Sequence, residues 1–381
     1  METKETVWSV EQVYAALNRG ERLAVLDVRN EDEFAAGTLE GRHEVPLAHV
    51  PYFDFIEDAD AAMARLPFGK DLPVVVVCAK GGSSEFVAEV LREAGWEAIN
   101  MEGGMARWAD VLVPTEATPA GHPWTLLQFN RPGKGALSYM IVSEGEAMVV
   151  DPARTLEPYL EMAAARGVRI THVMDTHVHA DYVSGGVELS RATGATYHLS
   201  GACGYEGDLR LSRQPGKVRV GQVEMIKLAT PGHTPGSTSL WVDGHWLLTG
   251  DTLFVDSVGR PDLGGQVDPW ARDLFHTLTE VLADLPDDTV VLPSHYASHA
   301  EMRPDGLVAG TLGALRQHNQ GMQARDLPAF LEFIHAHMRP SPEHYATIRR
   351  INLGALFPSE DQILQLDQGK NQCAASMARK A

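Results

Sequence analysis

Hydrophobic positions change their period once along the chain, and that change marks out its organisation. Over residues 8–110, helix-like segments alternate with short β-branched runs: a helix over 9–18, LAVLDVR at 23–29, LPVVVVC at 72–78 and a helix over 84–94. This alternation predicts a small parallel α/β sheet. The run VVVV is apolar on both faces, as a central strand is when helices cover it from each side. VPTEATPAGHP at 113–123 carries no periodicity and is rich in Pro, Thr and Ala, which predicts a linker. The expected division is therefore a first domain over 1–112, a linker over 113–123 and a second domain over 124–381.

In the second domain strands come in succession, TLLQFN, ALSYMIVS and AMVVDP, before a helix over 156–165 and a strand ITHVMD at 170–175. Further strands end at Leu228, Val242 and Leu248, a helix spans 269–285, and TVVLPSH is again strand-like. The fold class is mixed α/β with many antiparallel strands. Residues 309–351 read as helical, and Leu327, Phe330, Leu331 and Ile334 form an amphipathic stripe predicted to pack on the sheet.

Charge narrows the partners. With 32 basic and 51 acidic side chains the chain carries a formal charge of -19, which repels nucleic-acid phosphates and anionic lipid. No apolar run approaches the roughly 20 residues that span a bilayer, and METKETVWSV lacks the basic and apolar regions of a signal peptide. The expectation is a cytoplasmic protein without nucleic-acid or membrane partners, and a homo-oligomer is compatible with it. Three cysteines, Cys78, Cys203 and Cys373, make no disulfide framework. An acidic chain that takes a small anion needs a local cradle of positive charge or N–H groups.

Candidate metal ligands cluster in THVHADY at 176–182, directly after a predicted strand. His177, His179 and Asp181 alternate there, and clustered imidazole and carboxylate in a turn suit a divalent metal better than packing. His233 in TPGHTPG, Asp251 in LLTGDTLF and His295 in LPSH also fall at strand ends. His172, His245, His276, His318 and His335 read as solvated or hydrogen-bonded.

The series HxHxD, PGHTPGS, TGDTLF and PSH resembles the metallo-β-lactamase superfamily over about residues 124–305. Within it, TGDTLFVDSVGRPDL and RPSPEHYATIRRINLG resemble the persulfide dioxygenases and their rhodanese fusions. The resemblance implies an αββα sandwich with helices at its C-terminal end, and one Fe(II) bound by His177, His233 and Asp251. Tyr182 departs from the superfamily pattern, because dinuclear zinc hydrolases have a histidine there for a second metal. A phenol with an ordinary pKa near 10 is a poor ligand at neutral pH, which argues against a dinuclear hydrolytic centre. Two imidazoles and a carboxylate leave open positions, the arrangement with which non-heme oxygenases bind O2 beside a substrate. His179, Asp181 and His295 then orient the ligands or serve as alternative ones, and His295 is also a candidate for contacting substrate or water.

Cys78 ends a strand and opens CAKGGSS before a helix, so Ala79, Lys80, Gly81, Gly82 and Ser83 form a turn around its sulfur. Backbone N–H groups and a helix N-terminus aimed at one sulfur favour an anionic sulfur product. With LDVRNEDEF before it and GWEAINMEGGMARW after it, the loop resembles a single rhodanese domain over about residues 9–109, which carries sulfane sulfur as a cysteine persulfide. Ser83 stands where many thiosulfate-using rhodaneses have arginine, and Lys80 replaces that fork only as a point charge. Persulfide transfer is expected, efficient thiosulfate use is not. Cys203 reads as structural, and Cys373 carries no assigned chemistry.

Arg260 in SVGRPDL is a candidate for a substrate carboxylate such as that of glutathione, or else a partner of Asp262. Tyr182 is assigned with it to the substrate side. The combined expectation is oxidation of glutathione persulfide by O2 to sulfite, coupled to transfer between persulfide, sulfite and thiosulfate on Cys78. Two rivals remain: a zinc thioester hydrolase of the glyoxalase II type, and a sulfur-relay protein whose metal domain is a scaffold.

Overall fold

The computed structural model describes residues 5–207, 211–212, 216–262, 264–338, 340–342, 344–367 and 369–375. Leu263, Arg339 and Glu343, which belong to the motifs above, lie outside the described residues. The chain forms two units, Met1–Val113 with Arg131–Lys134, and Pro114–Asn130 with Gly135–Ala381.

In the first unit β1 (Val7–Trp8), β2 (Ala24–Asp27), β3 (Leu47–His49), β4 (Val74–Val77) and β5 (Ala98–Met101) form a parallel sheet of order β1-β5-β4-β2-β3. β4 is buried along its whole length, as its unbroken apolar run requires. The first helix, Val10–Arg19, starts at a Ser9–Gln12 capping box and ends at Gly20, whose φ of 69° suits glycine. Helix Gly82–Glu93 packs Val87, Ala88 and Leu91 into the core that holds Val74, Val76 and Cys78. That packing fixes the turn in which Cys78 lies.

In the second unit the strands are β6 (Val113–Glu116), β7 (Thr125–Arg131), β8 (Ala136–Ser143), β9 (Glu146–Val150), β10 (Arg169–Met174), β11 (Thr196–His198) and β12 (Leu211–Ser212), in sheet order β12-β11-β10-β9-β8-β7-β6. A second sheet runs β13 (Gly216–Val220), β14 (Val223–Ala229), β15 (Thr238–Val242), β16 (Trp246–Gly250), then β18 (Val290–Pro293) and β19 (Gly310–Thr311). β17 (Val258–Gly259) pairs separately with β20 (Ala374–Ala375). β13 faces β8 and β9, helices Glu157–Ala165 and Gly186–Thr193 lie on β10, and Val267–His276 packs with Leu327–His337. The last pair buries Leu274, Phe330 and Ile334 against Leu247 and Val291 of the second sheet. Layers therefore run helix, sheet, sheet, helix, and the predicted stripe packs inward.

Three local expectations are corrected. Val113–Glu116, expected within the linker, is an edge strand whose burial alternates along its length, and an edge tolerates Pro114 because no ladder donor is needed there. The helix predicted over 269–285 is Val267–His276 followed by a π-helical turn, Thr277–Val281, where the Thr277 hydroxyl donates to the Pro231 carbonyl at 2.8 Å. The helical stretch over 309–351 is divided into Leu312–His318, Leu327–His337 and His344–Asn352. Asn319 stops the first by turning its amide onto the Phe254 and Ser257 carbonyls at 3.0 and 2.8 Å. Among the described residues no helix is long and apolar enough to cross a membrane.

Candidate metal centre and cysteine turn

The cysteine turn is a local construction. Cys78 follows β4, and Gly81, at φ 97°, bends the chain so that its N–H donates to Cys78 Sγ at 3.0 Å. Ser84 Oγ lies 3.2 Å from the same sulfur and 2.7 Å from Asn100 Oδ1 on β5. Behind the turn, Met105 and Ala106 donate to the Cys78 and Ala79 carbonyls at 2.9 Å. The close approach requires Gly104: a Cβ there meets the Cys78 carbonyl oxygen at 2.3 Å, and its φ is 57°. Lys80 is exposed and Ser83 half-buried, so both border the turn without entering it. Nearby, Arg29 and Asp27 form a buried bidentate pair at 2.6–3.1 Å, which anchors the end of β2.

The metal centre is assembled from strand ends. The loop after β10 carries His177, His179 and Asp181, the β14–β15 turn carries His233, the end of β16 carries Asp251, and the end of β18 carries His295. His177 Nε2 and His233 Nε2 lie 3.6 and 3.5 Å from Asp251 Oδ2. All three atoms are buried and make no hydrogen bond. Two buried imidazole nitrogens and a carboxylate oxygen converging on one point with no protein partner are costly unless a cation satisfies them together.

The far side of each ring fixes its tautomer. His233 Nδ1 donates to the Arg260 carbonyl at 2.9 Å. His177 Nδ1 lies 3.0 Å from Thr176 Oγ1, whose own proton goes to Asp151 Oδ2 at 2.9 Å. Each Nε2 therefore presents a lone pair to the centre. Burial pushes the His177 imidazole well below its ordinary range and the His233 imidazole also down, so both rings stay neutral, as ligands must. Burial works to raise the Asp251 carboxyl, but His295 and His177 overcome it and hold the group well below the usual carboxylate range.

His295 bridges two carboxylates, with Nδ1 2.7 Å from Asp251 Oδ1 and Nε2 3.0 Å from Asp181 Oδ2. Burial disfavours its charge, yet Asp181 and Asp251 prevail and push its pKa up to about 10. His179 Nε2 lies 3.2 Å from Asp151 Oδ1 and 3.1 Å from the Tyr182 hydroxyl. Tyr182 is 2% exposed, stacks on His179 and turns its hydroxyl toward the Asp151 carbonyl at 3.3 Å. Arg260 makes the second of its two expected contacts: it is 3% exposed and grips Asp262 at 2.5 and 2.6 Å.

Residues 9–110 match the Rhodanese-like domain, and residues 131–202 and 215–295 match the Metallo-beta-lactamase superfamily. A Hydroxyacylglutathione hydrolase of Anaeromyxobacter dehalogenans is 35% identical over 225 residues, 58% of this chain and 82% of that protein. The chain belongs to the metallo-β-lactamase superfamily. The Homo sapiens protein named Persulfide dioxygenase ETHE1, mitochondrial, is 29% identical over 181 residues, 46% of this chain and 70% of that one. The crystal structure of ETHE1 from Myxococcus xanthus superposes with a TM-score of 0.53 at 30% identity, covering 60% of this chain and 98% of that one. A metallo-beta-lactamase structure from Staphylococcus aureus subsp. aureus COL gives 0.57 at 29% identity, covering 62% and 74%.

In this metallo-β-lactamase domain the sequence reading missed three participants. Asp151 follows β9 at φ 53° and accepts from Thr176 N at 2.7 Å, from Thr176 Oγ1 and from Ser294 Oγ, so it ties two ligand loops together. The signal was AMVVDP, an acid at a strand end before proline. Thr176 carries no sequence signal beyond its place beside His177. Cys373, left without chemistry, is 1% exposed and lies with Asp181 and His295. Cys203 behaves as expected: it packs under Gly236 of the PGHTPGS turn, and burial pushes its thiol up to about 12.

Proposed function

We propose that the chain oxidises a low-molecular-weight persulfide, glutathione persulfide first among them, to sulfite at one iron(II) held by His177, His233 and Asp251. Persulfide, O2 and water give thiol, sulfite and two protons. The observation that carries the reading is the convergence of three buried, hydrogen-bond-free ligand atoms in a two-imidazole, one-carboxylate set. Iron in such a set supplies open coordination positions for O2 and the terminal sulfur. The protein's part is orientation: the Arg260 carbonyl and Thr176 hydroxyl fix the two rings, and burial keeps the carboxylate away from bulk solvent. Relatives named persulfide dioxygenase support the assignment.

The rhodanese-like unit carries sulfane sulfur on Cys78, where the Gly81 N–H stabilises an anionic sulfur. A Cys78 persulfide that gives its outer sulfur to sulfite yields thiosulfate and the free thiolate. Joining both units on one chain raises the effective concentration of the shared intermediate.

The rival is a zinc thioester hydrolase, which the hydroxyacylglutathione hydrolase relatives favour and Tyr182 at the histidine position opposes. Anaerobic purification with metal analysis and an oxygen electrode separates them. Iron with oxygen uptake on glutathione persulfide supports the proposal; two zincs with thioester hydrolysis refute it. Sulfur transfer without oxygen uptake points instead to a relay protein.

A further inference from the structure

Behind the Cys78 turn one strand residue breaks the pattern of its face. On β5 the apolar Ala98, Ile99 and Met101 are 0–3% exposed. Asn100, 6% exposed, lies one pleat beyond Ala98 on the side covered by helix Gly82–Glu93, where Ala98 packs among Val74, Val76, Val87 and Ala88. An amide buried there without a partner is destabilising, and an aliphatic side chain would fill the space without that cost. Asn100 Oδ1 lies 2.7 Å from Ser84 Oγ, and Ser84 Oγ lies 3.2 Å from Cys78 Sγ. Among the described residues Asn100 Nδ2 makes no hydrogen bond.

Ser84 is 0% exposed, and its hydroxyl has one proton for three acceptors: Asn100 Oδ1, Cys78 Sγ and the Gly81 carbonyl at 3.1 Å. With the amide oxygen toward it, Ser84 donates to Asn100 and keeps a lone pair for the Cys78 S–H. With the amide turned over, Nδ2 donates to Ser84, and the hydroxyl proton goes to a sulfur anion. One amide offers a donor and an acceptor from the same position, and turning it breaks only the bond to Ser84, which re-forms in the opposite sense. We propose that Asn100 is a positioning residue that acts through Ser84 to switch the hydrogen bonding of Cys78 between thiol and thiolate. This assignment rests on the reading of Cys78 as a sulfur carrier, since a sulfur that cycles between neutral and anionic forms is the one that needs such a pair.

The rest of the turn explains why a switch is useful there. Ser83 supplies no fixed positive charge and Lys80 is exposed, so dipoles that reorient are what the turn has to answer a charge on sulfur. The Gly81 N–H, 3.0 Å from Sγ, donates to the sulfur whichever way the amide faces. Loss of the thiol proton to solvent reverses the chain from S–H to O–H to O=C into N–H to O–H to sulfur anion. An aspartate at position 100 would accept without donating, hold the Ser84 proton in both states and leave the anion with the Gly81 N–H alone.

The test is alkylation of the full chain by iodoacetamide from about pH 5 to about pH 9, read as the mass of the Cys78 peptide, because the reagent takes the thiolate. N100D is expected to slow alkylation at neutral pH about 10-fold and to move the rise of the profile to higher pH, and S84A to slow it about 3-fold. In the S84A/N100D double variant only the aspartate charge reaches the sulfur, so the loss caused by N100D should shrink by about 3-fold or more. An N100D loss of equal size with and without the Ser84 hydroxyl overturns the proposal, as do single-variant profiles that coincide with the parent's. Should N100D fail to fold, S84A alone still overturns it by matching the parent. Alkylation needs no persulfide and no turnover, so a chain that transfers no sulfur leaves this result standing, and sulfur transfer with uncoupled variants sinks the switch alone.

Discussion

The cysteine turn and the metal centre solve the same problem, holding a reactive anion, by different routes. Around Cys78 the donors come from Gly81 and Ser84, a few residues along the chain, with Asn100 behind them. Around the metal centre, Asp151, His177, His233, Asp251, His295 and Cys373 come from separate strand ends and a C-terminal segment. The first arrangement is a property of one strand-turn-helix. The second exists only when two sheets have packed, so a change in one loop propagates to several ligands. Damage to the metal centre is therefore expected to be larger and broader than damage to the turn.

The largest effect is expected for His177→Ala, His233→Ala or Asp251→Ala. Each removes a donor from a buried three-atom set and leaves the other two without that partner. Metal affinity should fall by more than about 100-fold, beyond the cost of losing a mere supporting partner. Oxygen uptake should fall with it while sulfur transfer on Cys78 persists. Metal analysis after dialysis checks this, and retained iron in all three variants breaks the comparison at its root.

A smaller effect separates ligand from support. Thr176→Val keeps the shape but removes the acceptor that orients His177 Nδ1 and the bond to Asp151. Affinity should fall about 10–100-fold, and competition with a calibrated chelator measures it. Unchanged affinity would mean that packing alone holds the ring.

Gly104→Ala tests the other side. The added Cβ sits 2.3 Å from the Cys78 carbonyl at a backbone φ of 57°. The left-handed conformation alone costs about 1–2 kcal/mol, and the overlap displaces the turn. Sulfur transfer should drop with iron content and oxygen uptake unaltered; parallel loss of both activities would show that the units are not separable.

These differences also explain what the sequence made legible. The Cys78 turn, β4 and its helix were readable because their cause is local: VVVV, then Cys, then two glycines. The strand-end histidines were readable because each sits in its own short motif. Asp151 was not, since its role is to receive bonds from loops remote in sequence, and a lone aspartate after a strand has many uses. Cys373 was invisible for the same reason in stronger form: nothing in GKNQCAAS indicates Asp181, and only the pairing of β20 with β17 brings the two together. Arg260 was half legible, with Asp262 as its partner visible two residues away.

The smallest effect concerns acid. In the metal unit His198 Nε2 lies 2.9 Å from His172 Nδ1, and its Nδ1 lies 3.5 Å from Lys227 Nζ. Burial and then the Lys227 charge push its pKa down to about 3 from an ordinary 6.5. The folded chain thus keeps this ring neutral where the unfolded chain takes up a proton. With the folded value depressed, the stability is full above about pH 6.5 and is lost as pH falls from there towards 3, because the unfolded state binds the extra proton. One such proton is worth at most about 1.4 kcal/mol per pH unit, so roughly 1 kcal/mol should go between pH 6.5 and 5.5. His177 and His233 add the same sign through their own depressed values, and His295, raised to about 10, works against them. Urea unfolding of the metal-free chain at pH 7 and pH 5.5, beside His198→Gln, isolates the contribution: the variant should lose less on acidification than the parent. An equal loss in both would remove His198 from the account and leave the metal-site histidines to explain the slope.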